Sequence, residues 1–128
     1  MPYLSDLIGK PVADVDGECI GRLEDLIASP RGKMPHPEIV ALVVKRSGGI
    51  LLVPFSDVAA FIAPAIPLTR RLQDIVPYEP GEQGLYLAQD VLDKQIIDTN
   101  GMRVVRVNDL ELVRVNGHFY VANVDVGG

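Results

Sequence analysis

The residues with the clearest capacity for chemistry are three acidic side chains close together near the N-terminus. Asp14, Asp16 and Glu18 surround Gly17 in an arrangement that resembles part of a calcium-binding loop. An EF-hand loop, however, places its glycine at the sixth position and a carboxylate at the twelfth. Counted from Asp14, Gly17 is the fourth residue, so the spacing does not fit. The Asp16-Gly17 pair instead favours a tight hairpin turn, and the sequence predicts no calcium site.

The other metal-binding and nucleophilic residue types are too few and too dispersed to form a site. Structural zinc sites use four ligands, mostly Cys and His, whereas the chain has one cysteine, Cys19, and two separated histidines, His36 and His118. Cys19 also has no histidine nearby in sequence that could activate it as a nucleophile. We therefore expect no metal, no cofactor and no catalytic residue, and we predict that the protein is not an enzyme.

Two further carboxylates, Asp25 and Asp109, each precede a leucine within an otherwise apolar stretch. They could accept hydrogen bonds from backbone N–H groups at a bend in a strand, or they could pair with Arg22 and Arg106. Functional pairs of carboxylates usually share a cleft, and nothing in the sequence indicates one. A structural role is therefore favoured over a catalytic role.

Charge and composition limit the classes of partner. The formal net charge is −5 at pH 7, and the densest basic feature is the pair Arg70-Arg71. This balance argues against nucleic-acid binding, because nucleic-acid binders concentrate Lys and Arg on one face. Hydrophobic residues make up 48% of the chain, yet no run approaches the roughly 20 apolar residues of a membrane helix. The N-terminus also lacks a signal-peptide pattern, so we expect no membrane insertion and a cytoplasmic location.

The chain contains an internal repeat. Residues 6–26 align with residues 90–110 at an offset of 84 positions, with identities at Asp6/Asp90, Lys10/Lys94, Asp14/Asp98, Gly17/Gly101, Arg22/Arg106, Asp25/Asp109 and Leu26/Leu110. The later part of each copy aligns at an offset of 68, with identities at Arg46/Arg114, Gly49/Gly117, Val53/Val121, Asp57/Asp125 and Val58/Val126. The smaller offset assigns extra residues to the first copy, in the loop-like stretch around residues 29–37.

Turn chemistry indicates the fold of each copy. Four dipeptides suited to hairpin turns lie between apolar or β-branched stretches: Asp16-Gly17, Gly48-Gly49, Asn100-Gly101 and Asn116-Gly117. Such pairs tolerate the positive φ angles of type I′ turns, so Gly17, Gly49, Gly101 and Gly117 are predicted structural turn residues. Short hairpins at regular spacing predict an all-β fold made of two small antiparallel barrels in tandem, with short helical turns.

The domain boundaries follow from the same pattern. Residues 1–62 form the first predicted repeat and residues 85–128 form the second. The intervening residues 63–84 contain four prolines, which exclude a central strand. We predict a Pro-rich linker along the surface there, with Leu68, Leu72 and Ile75 as candidate anchors.

Three stretches of the first copy resemble the opening of a PRC-barrel domain: residues 4–12, residues 14–18 and residues 20–26. That family includes a domain of the photosynthetic reaction-centre H subunit and the C-terminal barrel of the ribosome maturation factor RimM. The resemblance implies a strongly bent six-stranded barrel that serves as a docking surface. Tandem copies also resemble the N-terminal part of larger cytosolic proteins that carry a magnesium-transporter intracellular domain and CBS domains. The second copy departs from the pattern, with Asp93 and Gln95 where the first has Gly9 and Pro11.

These observations give two functional hypotheses. The first is a non-enzymatic protein-interaction or regulatory module, the N-terminal fragment of a larger cytosolic protein related to magnesium transport. The alternative is a ribosome-assembly or RNA-metabolism adaptor, similar to the RimM barrel, that acts through protein contacts. The reading frame beyond Gly128 would distinguish them.

The hairpin around Gly48-Gly49 is the predicted contact surface. Residues 39–44 and 50–53 are apolar without interruption, and neighbouring side chains in a strand point to opposite faces. Both faces of this hairpin are therefore apolar, and one must be covered by the second copy, by the linker or by another chain. The candidate surface residues are Val40, Leu42, Leu51 and Leu52. We expect a homodimer or a tight contact between the two copies.

Overall fold

The computed structural model describes residues 2–30, 36–61, 63–97 and 104–127. Nine strands belong to one curled sheet: β1 (Pro11–Ala13), β2 (Cys19–Ser29), β3 (Glu38–Arg46), β4 (Gly49–Pro54), β5 (Ile66–Pro67), β6 (Leu85–Tyr86), β7 (Gln95–Ile97), β8 (Val104–Val115) and β9 (His118–Gly127). The helical elements are single turns: α1 (Leu4–Leu7), 3₁₀ turns at Phe55–Asp57 and Leu72–Asp74, and a π turn at Leu87–Val91. The predicted mostly-β fold with short helical turns is confirmed.

Antiparallel pairing organises the sheet around two long hairpins. In the N-terminal half, β1, β2, β3 and β4 pair in sequence order; in the C-terminal half, β7, β8 and β9 do the same. The two halves join where Glu38 of β3 pairs with Tyr120 of β9. The short strands β5 and β6 add to the edges of β1 and β2.

The two halves have the same hydrogen-bond pattern at the offset of 84. The Gly9 N–H donates to the Leu23 carbonyl, and the Asp93 N–H donates to the Val107 carbonyl, both at 2.8 Å. Irregularities in register also recur at equivalent positions, next to Asp25 in β2 and next to Asp109 in β8. This first alignment therefore corresponds to a real structural equivalence.

The second alignment, at an offset of 68, is wrong. The strand β9 pairs with β8 as β3 pairs with β2: Leu26 faces Leu42, and Leu110 faces Val124. The equivalent positions in β3 and β9 thus differ by 82 residues. The Asn116-Gly117 turn corresponds to the connection between β2 and β3 and not to the Gly48-Gly49 turn. Among the described residues, the C-terminal half has no strand equivalent to β4.

One main hydrophobic core takes side chains from both halves. It includes Leu4, Leu7, Leu23, Leu26, Leu42, Val44 and Val53 from the first half and Leu87, Val107, Leu110, Leu112, Phe119 and Val121 from the second. A smaller cluster on the other face contains Ile27, Ala41 and Val43, with Val40, Leu52, Tyr78 and Tyr86 packed against it. Two separate barrels are therefore not confirmed, because the halves share one sheet and one core.

The segment between the halves lies against the sheet. Its two-residue strand β5 runs parallel to β1 at the edge, where proline is tolerated. Leu68 and Ile75 are buried, and Leu72 packs against the main core, as expected of anchors. The boundaries at residues 62/63 and 84/85 stay a prediction.

Candidate functional site

The largest apolar depression among the described residues lies on the outer face of the β3–β4 hairpin, and we call it the hairpin groove. Its volume is about 660 Å³. The lining comes from three elements, and the residues are Glu24, Asp25, Val43, Ile50, Leu52, Tyr86, Ala88 and Gln89.

Strand register explains why this face is apolar. Opposite residues in an antiparallel pair project to the same face. Val43 pairs with Leu52, and both lie on the outer face, whereas Leu42 pairs with Val53 and both face the main core. Ile50, near the tip of the hairpin, is 54% exposed. The groove therefore offers apolar side chains that no described part of the chain covers fully.

The segment between the two halves covers part of this face. The Tyr78 N–H donates to the Leu52 carbonyl at 2.9 Å, and Tyr78 and Tyr86 both pack against the smaller cluster. The expectation that both faces of the hairpin are apolar is met. Part of the cover comes from the Pro-rich segment, which was one of the three predicted alternatives.

The four predicted surface residues separate into two pairs. Val40 and Leu52 are half-buried on the outer face against the smaller cluster. Leu42 is fully buried in the main core, and Leu51 packs against that core from the inner face. Leu42 and Leu51 are therefore excluded from the candidate surface, because strand alternation turns them inward.

Asp25 forms the polar base of the hairpin groove. Its carboxylate is buried and accepts three backbone N–H groups: Leu26 at 2.7 Å, Ala88 at 2.6 Å and Gln89 at 3.0 Å. Burial raises the pKa of Asp25 above its ordinary value, while these hydrogen bonds oppose the increase. Of the two predicted roles, acceptance of backbone N–H groups is the one observed, since Arg22 donates instead to the Gly9 carbonyl.

Asp109 makes the reciprocal contact in the other half. It accepts hydrogen bonds from the Ser5 N–H at 3.1 Å, from the Ser5 hydroxyl and from the Leu110 N–H at 2.9 Å. Asp25 thus caps the π turn of the second half, and Asp109 caps α1 of the first half. The repeat of these aspartates is explained by capping, and the exchange ties each half to the other.

The predicted turn glycines have distinct environments. Gly17 lies in the β1–β2 turn with a φ of +86°, and Gly117 follows Asn116 in the β8–β9 turn with φ values of +81° and +52°. Gly49 is the first residue of β4, one position beyond the predicted turn centre, with a φ of +144°. Gly101 lies outside the described residues.

The acidic cluster near Asp14 serves the first of these turns. The Asp14 carboxylate accepts the Asp16 and Glu18 N–H groups at 2.9 and 3.0 Å. Within the described ranges, no group of three or more His, Cys, Asp or Glu side chains is placed to hold a metal ion.

Sequence reasoning missed three features of the surface. His118 pairs with Glu38 at 2.8 Å across the junction of β9 and β3, beside a second groove of about 460 Å³ that Val40 and Tyr78 line. Gly21 lies close to the Lys45 carbonyl oxygen, where a Cβ would come within 2.4 Å. Both depend on which strands become neighbours. Tyr86 could have been suspected from its isolated aromatic ring after a Gly/Pro-rich stretch.

Comparison with known proteins gave one family. The sequence profile described as PRC-barrel domain matches residues 1–64, which is half of the chain. No curated protein matched the chain. Across the part of the chain that the structure describes, none of the helical elements has the length and apolarity needed to cross a membrane.

Proposed function

Since the chain belongs to the PRC-barrel domain family, we propose that it is a non-enzymatic protein-interaction module whose hairpin groove binds a protein partner. The observation that carries the proposal is the groove itself: an exposed Ile50 and a half-buried Leu52 flank a buried carboxylate, Asp25.

The lining of the groove indicates the chemistry of the partner. Each Å² of apolar surface removed from water contributes about 25 cal/mol, so an aliphatic or aromatic side chain placed on Val43, Ile50 and Leu52 would supply most of the affinity. The exposed Glu24 carboxylate lies at the same groove. It favours a partner with a lysine or arginine next to the apolar side chain.

The finer context is also a proposal. We propose that residues 85–128 are a second, shortened PRC-barrel copy, which the equivalent hydrogen bonds at an offset of 84 support. The resemblance of tandem copies to cytosolic magnesium-transporter and CBS-domain proteins supports a role related to magnesium transport. A homodimer in the cytoplasm belongs to the same proposal.

Site-specific photocrosslinking in the native cell tests the interaction function. A photoreactive amino acid at position 50 should give a discrete protein adduct, and the same probe at Val76, which is exposed outside the groove, should not. Leu52→Asp should abolish the adduct. The absence of any adduct at position 50, or equal adducts at both positions, would refute the groove as a binding site.

The mass of the adduct distinguishes the partners. An adduct of twice the chain mass identifies a second copy, and light scattering of the purified protein checks it independently. A ribosomal protein in the adduct would support the ribosome-assembly alternative. Loss of growth at limiting magnesium in a strain carrying Ile50→Asp, but not in one carrying Val76→Asp, would support the magnesium-related role.

A further inference from the structure

The outer edge of β9 differs from the equivalent edge of β3. The edge of β3 that faces away from β2 contacts β9 at Glu38 and then pairs with β4 from Ala41 to Arg46. The matching edge of β9 contacts β3 at Tyr120. From Asn123 to Gly127, no described strand pairs with it.

Two apolar side chains on β9 lose their cover as a result. Leu42 and Val44 on β3 are fully buried, and they pair with Val53 and Leu51 of β4. The equivalent residues on β9 are Val124 and Val126, which face Leu110 and Val107 of the core-facing side. They are 46% and 41% exposed. The same structural position is therefore buried in one half and open in the other, and the presence of β4 is the difference.

We propose that the edge of β9 between Asn123 and Gly127 is a docking site for an extended strand of a partner protein, which would take the position that β4 has in the first half. Strand addition to an open sheet edge is an established mode of peptide recognition, in which backbone hydrogen bonds give affinity and alternate side chains give specificity. The strand would run antiparallel to β9, as β4 runs antiparallel to β3.

The internal example specifies the side chains on one face of the partner strand. In β4, Leu51 and Val53 cover the core-facing side, and both are uncharged and aliphatic. A partner strand needs two such residues at positions i and i+2 to cover Val124 and Val126, because side chains in a strand alternate between faces.

Charge specifies the opposite face. Asn123 and Asp125 project there on β9, and Asn123 donates to the Glu111 carboxylate of β8 at 2.6 Å. This acidic surface favours lysine or arginine on the outward face of the partner strand. It also disfavours a second copy of this chain bound through β9, since antiparallel pairing of two β9 edges would bring two Asp125 carboxylates close together.

The test uses a peptide built from the internal example. The probe is a fluorescein-labelled peptide with the sequence of residues 47–56 that carries Ile50→Lys and Leu52→Lys, which keeps the inward Leu51 and Val53 and adds outward cations. Its binding to the full chain is followed by fluorescence anisotropy, and hydrogen exchange with mass spectrometry reports protection of residues 122–127. We expect saturable binding and new protection confined to β9.

Three variants of the protein make the result specific. Val124→Asp should weaken binding on the order of tenfold, because it places a charge where an apolar contact forms. Asp125→Asn should weaken it about threefold and reduce its salt dependence. Val76→Asp, an exposed apolar residue elsewhere, is the matched control and should leave binding unchanged. The melting temperatures of all three should stay close to that of the parent, since each residue is exposed.

Two results would overturn the proposal. One is an anisotropy that does not change at millimolar protein, or protection that appears at the hairpin groove and not at β9. The other is a parent dimer that Val124→Asp converts to monomer, which would identify a second copy as the occupant of this edge.

Discussion

Replacing Gly21 with alanine should destabilise the fold more than any other single methyl addition at a described glycine. An alanine Cβ at this position would lie 2.4 Å from the Lys45 carbonyl oxygen and 2.8 Å from the Val44 Cγ1. Both neighbours belong to β3, which is held between β2, β4 and the main core. The carbonyl is backbone, so relief of the clash requires β2 and β3 to separate where the sheet bends.

The expected cost follows from comparable overpacking. Added methyl groups in well-packed interiors typically cost 1–3 kcal/mol, and a backbone atom at 2.4 Å places this substitution near about 3 kcal/mol. For a chain of this size, each kcal/mol lowers the melting temperature by roughly 3–6 °C. Gly21→Ala should therefore melt about 9–18 °C below the parent by circular dichroism, with a parallel loss of free energy of unfolding in urea.

Gly48→Ala is the matched control. A Cβ on Gly48 meets nothing within 4 Å, so its effect on the free energy of unfolding should stay within about 0.5 kcal/mol. If Gly21→Ala melts with the control and the parent, the close approach of β2 and β3 at this position is wrong, and so is the bend that it permits.

Three further predictions concern side chains of both halves. Because burial raises the pKa of Asp25 above 3.8 in the folded protein, the stability that its protonated form provides is complete below pH 3.8 and is lost as pH rises through the raised pKa; urea unfolding should show the free energy of the parent falling relative to Asp25→Asn across that window. Leu51→Asp should unfold the protein, because it places a charge against the main core, whereas Leu52→Asp should keep a cooperative melt; equal melts would contradict the assigned faces. Gly17→Val should cost about 1–3 kcal/mol, since valine is strained at positive φ, and an unchanged melting temperature would contradict the turn.

Local chemistry was sufficient to predict the strands, the turns and the first part of the repeat. Asn116-Gly117 and Asp16-Gly17 specify hairpin turns through their tolerance of positive φ, and both turns are observed. The offset of 84 depends on residues with definite structural roles, such as Asp25 and Asp109, so it survives in the structure.

The offset of 68 failed for a physical reason. It matched Gly49 with Gly117 and Arg46 with Arg114, residue types that any exposed hairpin tip favours, and not residues with a specific partner. Similar turn chemistry can therefore align two hairpins that differ in position within the sheet. The missing equivalent of β4, and with it the open edge of β9, could not be inferred until the register was known.

The candidate surface could be located only in part. Alternation along β3 and β4 predicts two apolar faces, but the direction in which Leu51 and Leu52 point depends on the register relative to the core. The hairpin groove also needs Tyr86 and Ala88, which come from a segment more than thirty residues away in the sequence. Such contacts depend on how the chain between the halves is routed.

The exchange of aspartate caps links the interaction surfaces to the stability of the whole sheet. Asp25 binds the turn at Leu87–Val91, and Asp109 binds α1, so each half completes a helical turn of the other. Both carboxylates belong to the long strands that form the main core. A partner that binds at the hairpin groove contacts Asp25 and Ala88 together, and therefore contacts both halves at once. Binding there should stabilise the junction between the halves, because it adds contacts that exist only when both halves are folded.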